Sequence, residues 1–239
     1  MIETRSLTVE TSGGKHLLED VNLETKEGET VLICGRPGSG KTLLCKALKG
    51  ILPRNFVVSG SVEVKGESGF LFESPKKQIV REKVIDDLAF GLENESLPPR
   101  EIMERIDRYS EAYGLEDLLE RETEGLSSGE TAKVALVGVM VTEPEILIMD
   151  EPLSMLDAPN RKKMVEKIEK IREDGKTMII AEHQIKDLFS IADRIILMKD
   201  GRIESRGKPE ELVGALYSEG IRLPIEEELR AEGGSKRSK

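Results

Sequence analysis

The segment at residues 35–42 constrains the fold of this 239-residue chain more than any other stretch. It fits the pattern G-x-x-x-x-G-K-[ST], in which glycines let the backbone wrap around a phosphate group. An apolar run at 29–34 precedes it, and a helical pattern from 41 to about 52 follows it. A glycine-rich turn that opens a helix presents backbone N–H groups and the positive helix end to an anion. The sequence therefore predicts a phosphate-binding loop between a buried strand and a helix.

This phosphate loop has two residues with specific chemistry. In the motif, the Lys41 ammonium reaches the β- and γ-phosphates of a nucleotide, and the Thr42 hydroxyl can ligate Mg²⁺. An ordinary glycine-rich turn is the alternative interpretation, which the strand before the loop and the helix after it disfavour. The predicted phosphate-binding residues are Gly35, Arg36, Pro37, Gly38, Ser39, Gly40, Lys41 and Thr42.

Two further apolar runs, at residues 145–151 and 177–183, have the length of buried strands. A helical pattern at 159–174 lies between them. A strand, a helix and a strand of these lengths predict a right-handed crossover that joins parallel strands. We therefore expect an α/β fold, a P-loop NTPase core with a mostly parallel sheet.

Other segments predict elements outside this core. Residues 2–11 and 21–25 carry β-branched residues and turn signals, and 59–66 alternate apolar and polar residues. They indicate an N-terminal antiparallel β subdomain. An Asp-Gly turn within 194–204 predicts a hairpin.

The middle of the chain, from residue 82 to about 124, is helical in pattern and highly charged, with Pro98 and Pro99 at a helix start. We expect an α-helical subdomain at about 76–143. A short helical extension is expected at about 209–230. The small and charged residues 231–239 are predicted to form a disordered tail.

Composition excludes several classes of function. The longest apolar stretch, 134–141, is far shorter than the ~20 residues of a membrane-spanning helix. The first ten residues lack the pattern of a secretory signal, so a cytoplasmic protein is expected. A net charge of −10 disfavours binding to nucleic acid. Cys34 and Cys45 lie in apolar contexts and are expected to be core residues.

Acidic and imidazole side chains follow the predicted buried strands. Asp150 and Glu151 end one strand, at the sheet edge where open α/β folds bind ligands. Asp150 can hold Mg²⁺, and Glu151 can orient or deprotonate an attacking water. His183 ends the next strand and can hydrogen-bond a phosphate or that water. A helix cap for the acids and a structural role for the histidine are the alternatives.

Together these motifs resemble those of the nucleotide-binding subunit of ATP-binding-cassette (ABC) proteins. The resemblance covers about residues 2–225 and implies an ABC ATPase domain at 1–225, with ATP as substrate and Mg²⁺ as cofactor. In chain order, the motifs are the phosphate loop, Leu126–Glu130, Asp150-Glu151, Ser154–Asp157 and Glu182-His183.

Residues 126–130 match the signature segment of that family, which by the resemblance binds the γ-phosphate of an ATP held by the opposite protomer. We expect a helix at about 130–142 whose N-terminus can receive this anion. The implied partner is a second ABC ATPase protomer, identical or homologous. The residues implied in this trans contact are Ser127, Ser128, Gly129 and Glu130, and those of the dimer-interface loop are Ser154 and Asp157.

The chain departs from the family pattern at several positions. Ser128 and Glu130 replace a glycine and a glutamine, and an unscreened carboxylate near a γ-phosphate would repel it. Glu73 stands where the family has a glutamine that ligates Mg²⁺, and we expect it to join Thr42 and Asp150 as a metal ligand. Thr11 stands where the family has an aromatic residue on the nucleotide base.

No aromatic residue lies between residues 1 and 55, so selectivity between ATP and GTP stays open, and His16 is one candidate for stacking.

Three details resemble the energy-coupling-factor importers of vitamins or transition metal ions. They are Pro75-x-x-Gln78, Glu182-His183-Gln184 and Gly220–Pro224. This resemblance implies docking on a transmembrane coupling protein at the inner face of the membrane, through the helical lobe. The basic run of Lys76, Lys77, Arg81 and Lys83 is either a solvated loop or part of that contact.

Two alternatives remain open. One is a soluble ABC ATPase of iron–sulfur cluster assembly, and the other is a weakly hydrolysing regulatory cassette in a heterodimer. A chromosome-maintenance ATPase is disfavoured because the chain has no long heptad insertion.

Overall fold

Strands of the computed structural model, which describes residues 1–235, form two sheets. An antiparallel sheet has the strand order β2-β1-β4, and a six-stranded sheet has the order β5-β6-β7-β3-β8-β9. The strands are β1 (Ile2–Thr11), β2 (His16–Glu24), β3 (Thr30–Cys34), β4 (Phe56–Val64), β5 (Ser68–Leu71), β6 (Ile146–Asp150), β7 (Thr177–Glu182), β8 (Arg194–Lys199) and β9 (Arg202–Gly207).

The six-stranded sheet is parallel except at one edge, where β9 pairs antiparallel with β8. Every residue of β3, β6 and β7 is buried, as their apolar runs predicted. Because parallel strands end at the same edge, the residues that follow these three strands meet there. The phosphate loop follows β3, Glu151 follows β6 and His183 follows β7.

Helices cover the sheet and build a lobe beside it. Leu88, Leu92, Ile106 and Val134 are fully buried and belong to one apolar core shared by the lobe and the sheet. The helices are α1 (Lys41–Lys49), α2 (Val84–Asn94), α3 (Pro99–Tyr113), α4 (Ser128–Met140), α5 (Ala158–Glu173), α6 (Pro209–Ser218) and α7 (Ile225–Ser235).

The expected fold class is confirmed, since the chain combines a mostly parallel sheet, an antiparallel sheet and a set of helices. Pro99 occupies the first turn of α3, and Asp200-Gly201 form the turn between β8 and β9, both as predicted. Cys34 and Cys45 are buried and not bonded to each other. Across residues 1–235, no helix is both long and apolar enough to span a bilayer.

Some boundaries differ from those predicted. Helix α1 ends at Lys49 because Gly50 adopts the left-handed conformation, with φ of 76°. Strand β5 was not predicted, because its four residues are too few to show a pattern. Helix α7 extends to Ser235, five residues into the tail predicted at 231–239. The acidic residues in the first turn of α7 favour a helix N-terminus at this position. The Tyr217 hydroxyl of α6 also donates a hydrogen bond to the Glu232 carboxylate of α7. Residues 236–239 lie outside the described part of the chain.

Candidate functional site

The phosphate loop bends tightly between β3 and α1. Gly35 has φ of 152°, and a Cβ atom there would lie 2.3 Å from the carbonyl oxygen of Met198 on β8. Gly40 caps α1 with φ of 104°. Both conformations disfavour side chains, which explains why the motif has glycine at these positions. The loop is also held by Gly201, whose N–H donates to the Ser39 carbonyl.

Lys41 lies at the centre of this loop. Its side chain is 4% exposed, and Nζ donates to the carbonyl oxygens of Gly35 (3.0 Å) and Arg36 (3.4 Å). The same ammonium lies 3.8 Å from Oε1 of Glu151. Lys41 therefore joins the two ends of the loop and carries its positive charge to the edge of the sheet.

A cavity of about 520 Å³ opens beside the loop. We call it the phosphate-loop cavity. Gly38, Lys41 and Thr42 line one side, and Leu17, Pro53 and Phe56 contribute apolar surface to its wall. His16, the candidate stacking residue, does not line it and instead lies 3.3 Å from Glu10. Sequence reasoning missed Phe56, the first aromatic residue of the chain, because it follows the interval that the family pattern indicates.

Thr42 and Asp150, the two residues expected to hold the metal, meet although they are far apart in the chain. Thr42 Oγ1 donates to Asp150 Oδ1 at 2.8 Å, and Asp150 is buried at the end of β6. Burial raises the pKa of Asp150, and the negative charges of Glu151 and Glu73 raise it further.

These oxygen donors fit a magnesium ion. A hydroxyl and a carboxylate suit a hard cation, and a cation beside Asp150 would compensate for the burial of its charge. Glu73 is exposed, and its charge acts on Asp150, but no hydrogen bond joins the two.

Glu151, Glu182 and His183 form a compact cluster at the same edge. Nδ1 of His183 lies 3.4 Å from Oε2 of Glu151 and 3.7 Å from Oε2 of Glu182. Glu151 has φ of 48°, an uncommon conformation for a side-chain-bearing residue, and such conformations cluster at functional sites. The two predicted catalytic residues therefore lie together, and Glu182, which was named above as part of a motif without a catalytic role, is their neighbour.

Glu182 is buried, and its Oε1 accepts a hydrogen bond from the N–H of Leu153 at 2.9 Å. Burial raises the pKa of its carboxyl to about 7. At neutral pH this group is therefore poised between its neutral and its charged form.

Replacing Glu182 with glutamine should change how stability depends on pH. Since the folded chain holds the proton on Glu182 to a higher pH than the unfolded chain, the contribution of this carboxyl to wild-type stability is full below pH 4.5 and is lost as the pH rises through about 7. Glutamine keeps the acceptor for Leu153 and cannot ionise. The free energy of unfolding of the variant, relative to wild type, should rise between pH 4 and pH 8 by an amount on the order of 3 kcal/mol.

Denaturant unfolding at several pH values measures this difference. Glu173→Gln is the matched control, because this side chain is exposed in the folded chain and should give a difference that does not vary with pH. A Glu182→Gln difference that is equally flat would contradict the prediction.

The signature segment forms the N-terminus of α4. Ser127 is the N-cap, and its hydroxyl accepts from the N–H of Glu130 at 3.3 Å. The Glu130 carboxylate in turn accepts from the Ser127 N–H at 2.8 Å, which completes a capping box. The helix begins at Ser128, two residues before the predicted start.

The signature segment opens on a cavity of its own, about 370 Å³ in volume, which we call the signature cavity. Its lining shares no residue with that of the phosphate-loop cavity. Gly129 packs against Asn160 so closely that a Cβ atom would lie 2.4 Å from its side-chain oxygen. The structure therefore does not bring the signature residues to the phosphate loop of the same chain.

The predicted interface loop runs from Glu151 to the start of α5. The Ser154 hydroxyl donates to the carbonyl of Glu151 at 3.0 Å. Asp157 caps α5 by accepting from the N–H of Asn160 at 2.9 Å. This loop thus connects the cluster at the sheet edge with the residue that packs against Gly129.

Comparison with known proteins gives a consistent set of similarities. Residues 18–154 match the family described as ABC transporter. An ABC transporter ATP-binding protein of Treponema denticola is 36% identical over 219 residues, which are 85% of this chain and 45% of that protein. The chain therefore spans less than half the length of this relative.

Two other similarities extend over most of both chains. The energy-coupling factor transporter ATP-binding protein EcfA1 of Bacillus subtilis is 36% identical over 227 residues, covering 89% of this chain and 79% of the relative. The structure of cbiO1 from Clostridium perfringens, described as part of the ABC transporter complex cbiONQ, has a TM-score of 0.80 and 30% identity. That similarity covers 96% of this chain and 98% of the other.

Proposed function

This chain belongs to the ABC transporter family, and we propose that it is the ATP-binding and ATP-hydrolysing subunit that powers a membrane importer of the energy-coupling-factor type. The observation that carries the function is the meeting of Lys41, Thr42, Asp150, Glu151 and His183 at one edge of the sheet. These groups come from three strand ends and together provide charge, metal ligands and a base.

Lys41 and the backbone of the phosphate loop bind the phosphates of ATP. The ammonium lies between the loop carbonyls and Glu151, so it can turn toward a phosphate oxygen without leaving the cavity. Leu17, Pro53 and Phe56 provide apolar surface for the base. Such surface favours a purine and does not by itself distinguish ATP from GTP.

Thr42 and Asp150 would hold Mg²⁺, with the exposed Glu73 carboxylate as a further oxygen ligand. When bound, this ion neutralises charge on the phosphate oxygens. The roles of the protein are to position the phosphates and to keep Asp150 oriented through the hydroxyl of Thr42.

Glu151 orients the attacking water and accepts its proton, and His183 hydrogen-bonds the γ-phosphate or the same water. The two side chains lie 3.4 Å apart, close enough for His183 to hold Glu151 in position. Because Lys41 is 3.8 Å from the other oxygen of Glu151, both oxygens have a partner before the nucleotide arrives.

Catalysis requires a second protomer, because the signature cavity and the phosphate-loop cavity are separate. Ser127, Ser128 and Gly129 at the start of α4 offer a hydroxyl, backbone N–H groups and a positive helix end. In a face-to-face dimer, each signature segment would cover the ATP on the other phosphate loop. Ser154 and Asp157 would lie in that interface, and hydrolysis would let the protomers separate.

The importer assignment is supported by the named relatives. EcfA1 is described as an energy-coupling factor transporter protein, and cbiO1 as part of a transporter complex. The chain would lie on the cytoplasmic side of the membrane and dock through its helical lobe on a transmembrane coupling protein. A vitamin or a transition metal ion would be the transported solute. An assembly role in iron–sulfur chemistry is not favoured, since these relatives are named as transport proteins.

Purification of the tagged chain from native membranes tests this proposal. We expect a polytopic membrane protein and a second cassette, either a copy or a homologue, to co-purify, with Mg²⁺-dependent ATPase activity in the complex. The same chain expressed alone is the control for activity without the membrane partner. Co-purification with a soluble scaffold and no membrane protein would contradict the importer assignment.

A further inference from the structure

The signature segment carries a negative charge where its ligand is also negative. Glu130 lines the signature cavity, and it is the only acid among the described residues of that lining. Its pKa is lowered, first by the hydrogen bond from the Ser127 N–H and further by Arg121. The carboxylate is therefore ionised at neutral pH, a few ångströms from the helix N-terminus that would meet a γ-phosphate.

One arginine, Arg121, forms an ion pair with this carboxylate. Nη1 of Arg121 donates to Oε1 of Glu130 at 2.7 Å, while the other carboxylate oxygen accepts from the Ser127 N–H. Nη2 of Arg121 donates to the carbonyl of Gly125 at 3.0 Å, just before the signature segment. A guanidinium with two such donors is held in one orientation.

The backbone of Arg121 is anchored as well. Its carbonyl accepts from the N–H of Val84, the first residue of α2, and its N–H donates to the Leu118 carbonyl. The next residues are also fixed, because Thr123 N–H donates to the Glu82 carbonyl. The arginine therefore reaches Glu130 from a position set by the helical lobe.

Within residues 1–235, the lysines that line the signature cavity do not pair with Glu130. The Lys133 ammonium donates to the carbonyl of Gly114, and that of Lys167 to the carbonyl of Tyr113. Lys163 lines the cavity without an ion pair to Glu130 among the described contacts. Arg121 is thus the cation in direct contact with the carboxylate.

From this geometry, and on the basis of the function proposed above, we infer that Arg121 is a positioning residue for ATP binding in trans. It neutralises Glu130 and turns its second oxygen toward the Ser127 N–H, so that the start of α4 attracts a γ-phosphate. In a single protomer the Arg121–Glu130 ion pair is partly exposed, with 43% of the Arg121 side chain accessible, and solvent screens the interaction. When a second protomer covers the site, screening is lost and the compensation of charge has a larger effect.

The test is a double-mutant cycle on the complex purified from native membranes, with the half-saturating ATP concentration for hydrolysis as readout. Arg121→Gln should raise that concentration on the order of fivefold, because an unpaired carboxylate then faces the phosphate. In a Glu130→Gln background, the same Arg121→Gln change should have no effect, since there is no charge left to neutralise. Arg5→Gln, which removes an exposed arginine paired with Glu3 on β1, outside the helical lobe, is the matched control and should leave the value unchanged.

The outcomes separate the roles of Arg121. If Arg121→Gln raised the half-saturating ATP concentration equally in both backgrounds, Arg121 would only hold the loop near Gly125. That result would overturn the inference. An unchanged half-saturating ATP concentration in both backgrounds would also overturn the inference. A wild-type complex without any ATP hydrolysis would instead overturn the proposed function, and this inference with it.

Discussion

Replacing Glu151 with glutamine is expected to lower the rate of ATP hydrolysis at least a hundredfold and to trap ATP between two protomers. Glutamine has nearly the same shape and can still contact Lys41 and His183, but it cannot accept a proton from water. General-base catalysis contributes about 10²–10⁴-fold to such reactions. Binding of ATP should survive, because the phosphate loop and the metal ligands are untouched.

Steady-state ATPase assays measure the rate, and size-exclusion chromatography with ATP detects the trapped dimer. Glu145→Gln is the control. Glu145 is exposed and lies directly before the first residue of strand β6, so this variant should retain wild-type turnover. Turnover within threefold of wild type in Glu151→Gln would exclude this residue as the base. A wild-type complex that binds ATP and already hydrolyses it very slowly would favour the regulatory-cassette alternative.

Replacing Lys41 with methionine is expected to weaken ATP binding by about ten- to a hundredfold. Lys41 is buried, and its ammonium is the positive side chain at the centre of the phosphate loop. A charged hydrogen bond to phosphate is worth roughly 1.5–3 kcal/mol, and each 1.4 kcal/mol corresponds to a factor of ten in affinity. Loss of the contacts to Gly35 and Arg36 should also loosen the loop, which adds to the effect.

Titration with a fluorescent ATP analogue gives the affinity, and thermal unfolding shows whether the variant still folds. Lys162→Met, on the exposed side of α5, removes the same charge away from the site and should bind ATP like wild type. If Lys41→Met were folded and bound ATP within threefold of wild type, the phosphate-loop assignment would be wrong.

The parallel core could be predicted because its strands are buried on both faces. Their runs of apolar residues, such as 145–151, carry a signal that does not depend on neighbours. The same reasoning predicted Glu151 and His183 as the catalytic pair, because each of them follows a buried strand. Short elements could not be predicted in this way, because β5 shows no pattern and is defined by its pairing with β6.

Contacts between distant segments account for the parts of the site that the sequence did not reveal. Arg121 is one of many arginines in a charged lobe, and nothing in its local sequence marks it as the partner of Glu130. The raised pKa of Glu182 results from burial, which depends on the packing around β7. Phe56 is the first residue of β4, and it lines the phosphate-loop cavity because this strand lies beside α1.

The strand that carries the phosphate loop takes both of its sheet neighbours from the later part of the chain. Strand β3 pairs with β7 and with β8, which are separated from it by roughly 150 residues of sequence. During translation, β3 must therefore wait while those residues are synthesised at about 5–20 per second. A nascent chain that stops before residue 177 would have the complete phosphate-binding motif and no sheet to hold it. Nucleotide could then stabilise the phosphate loop only in chains that already include β7 and β8.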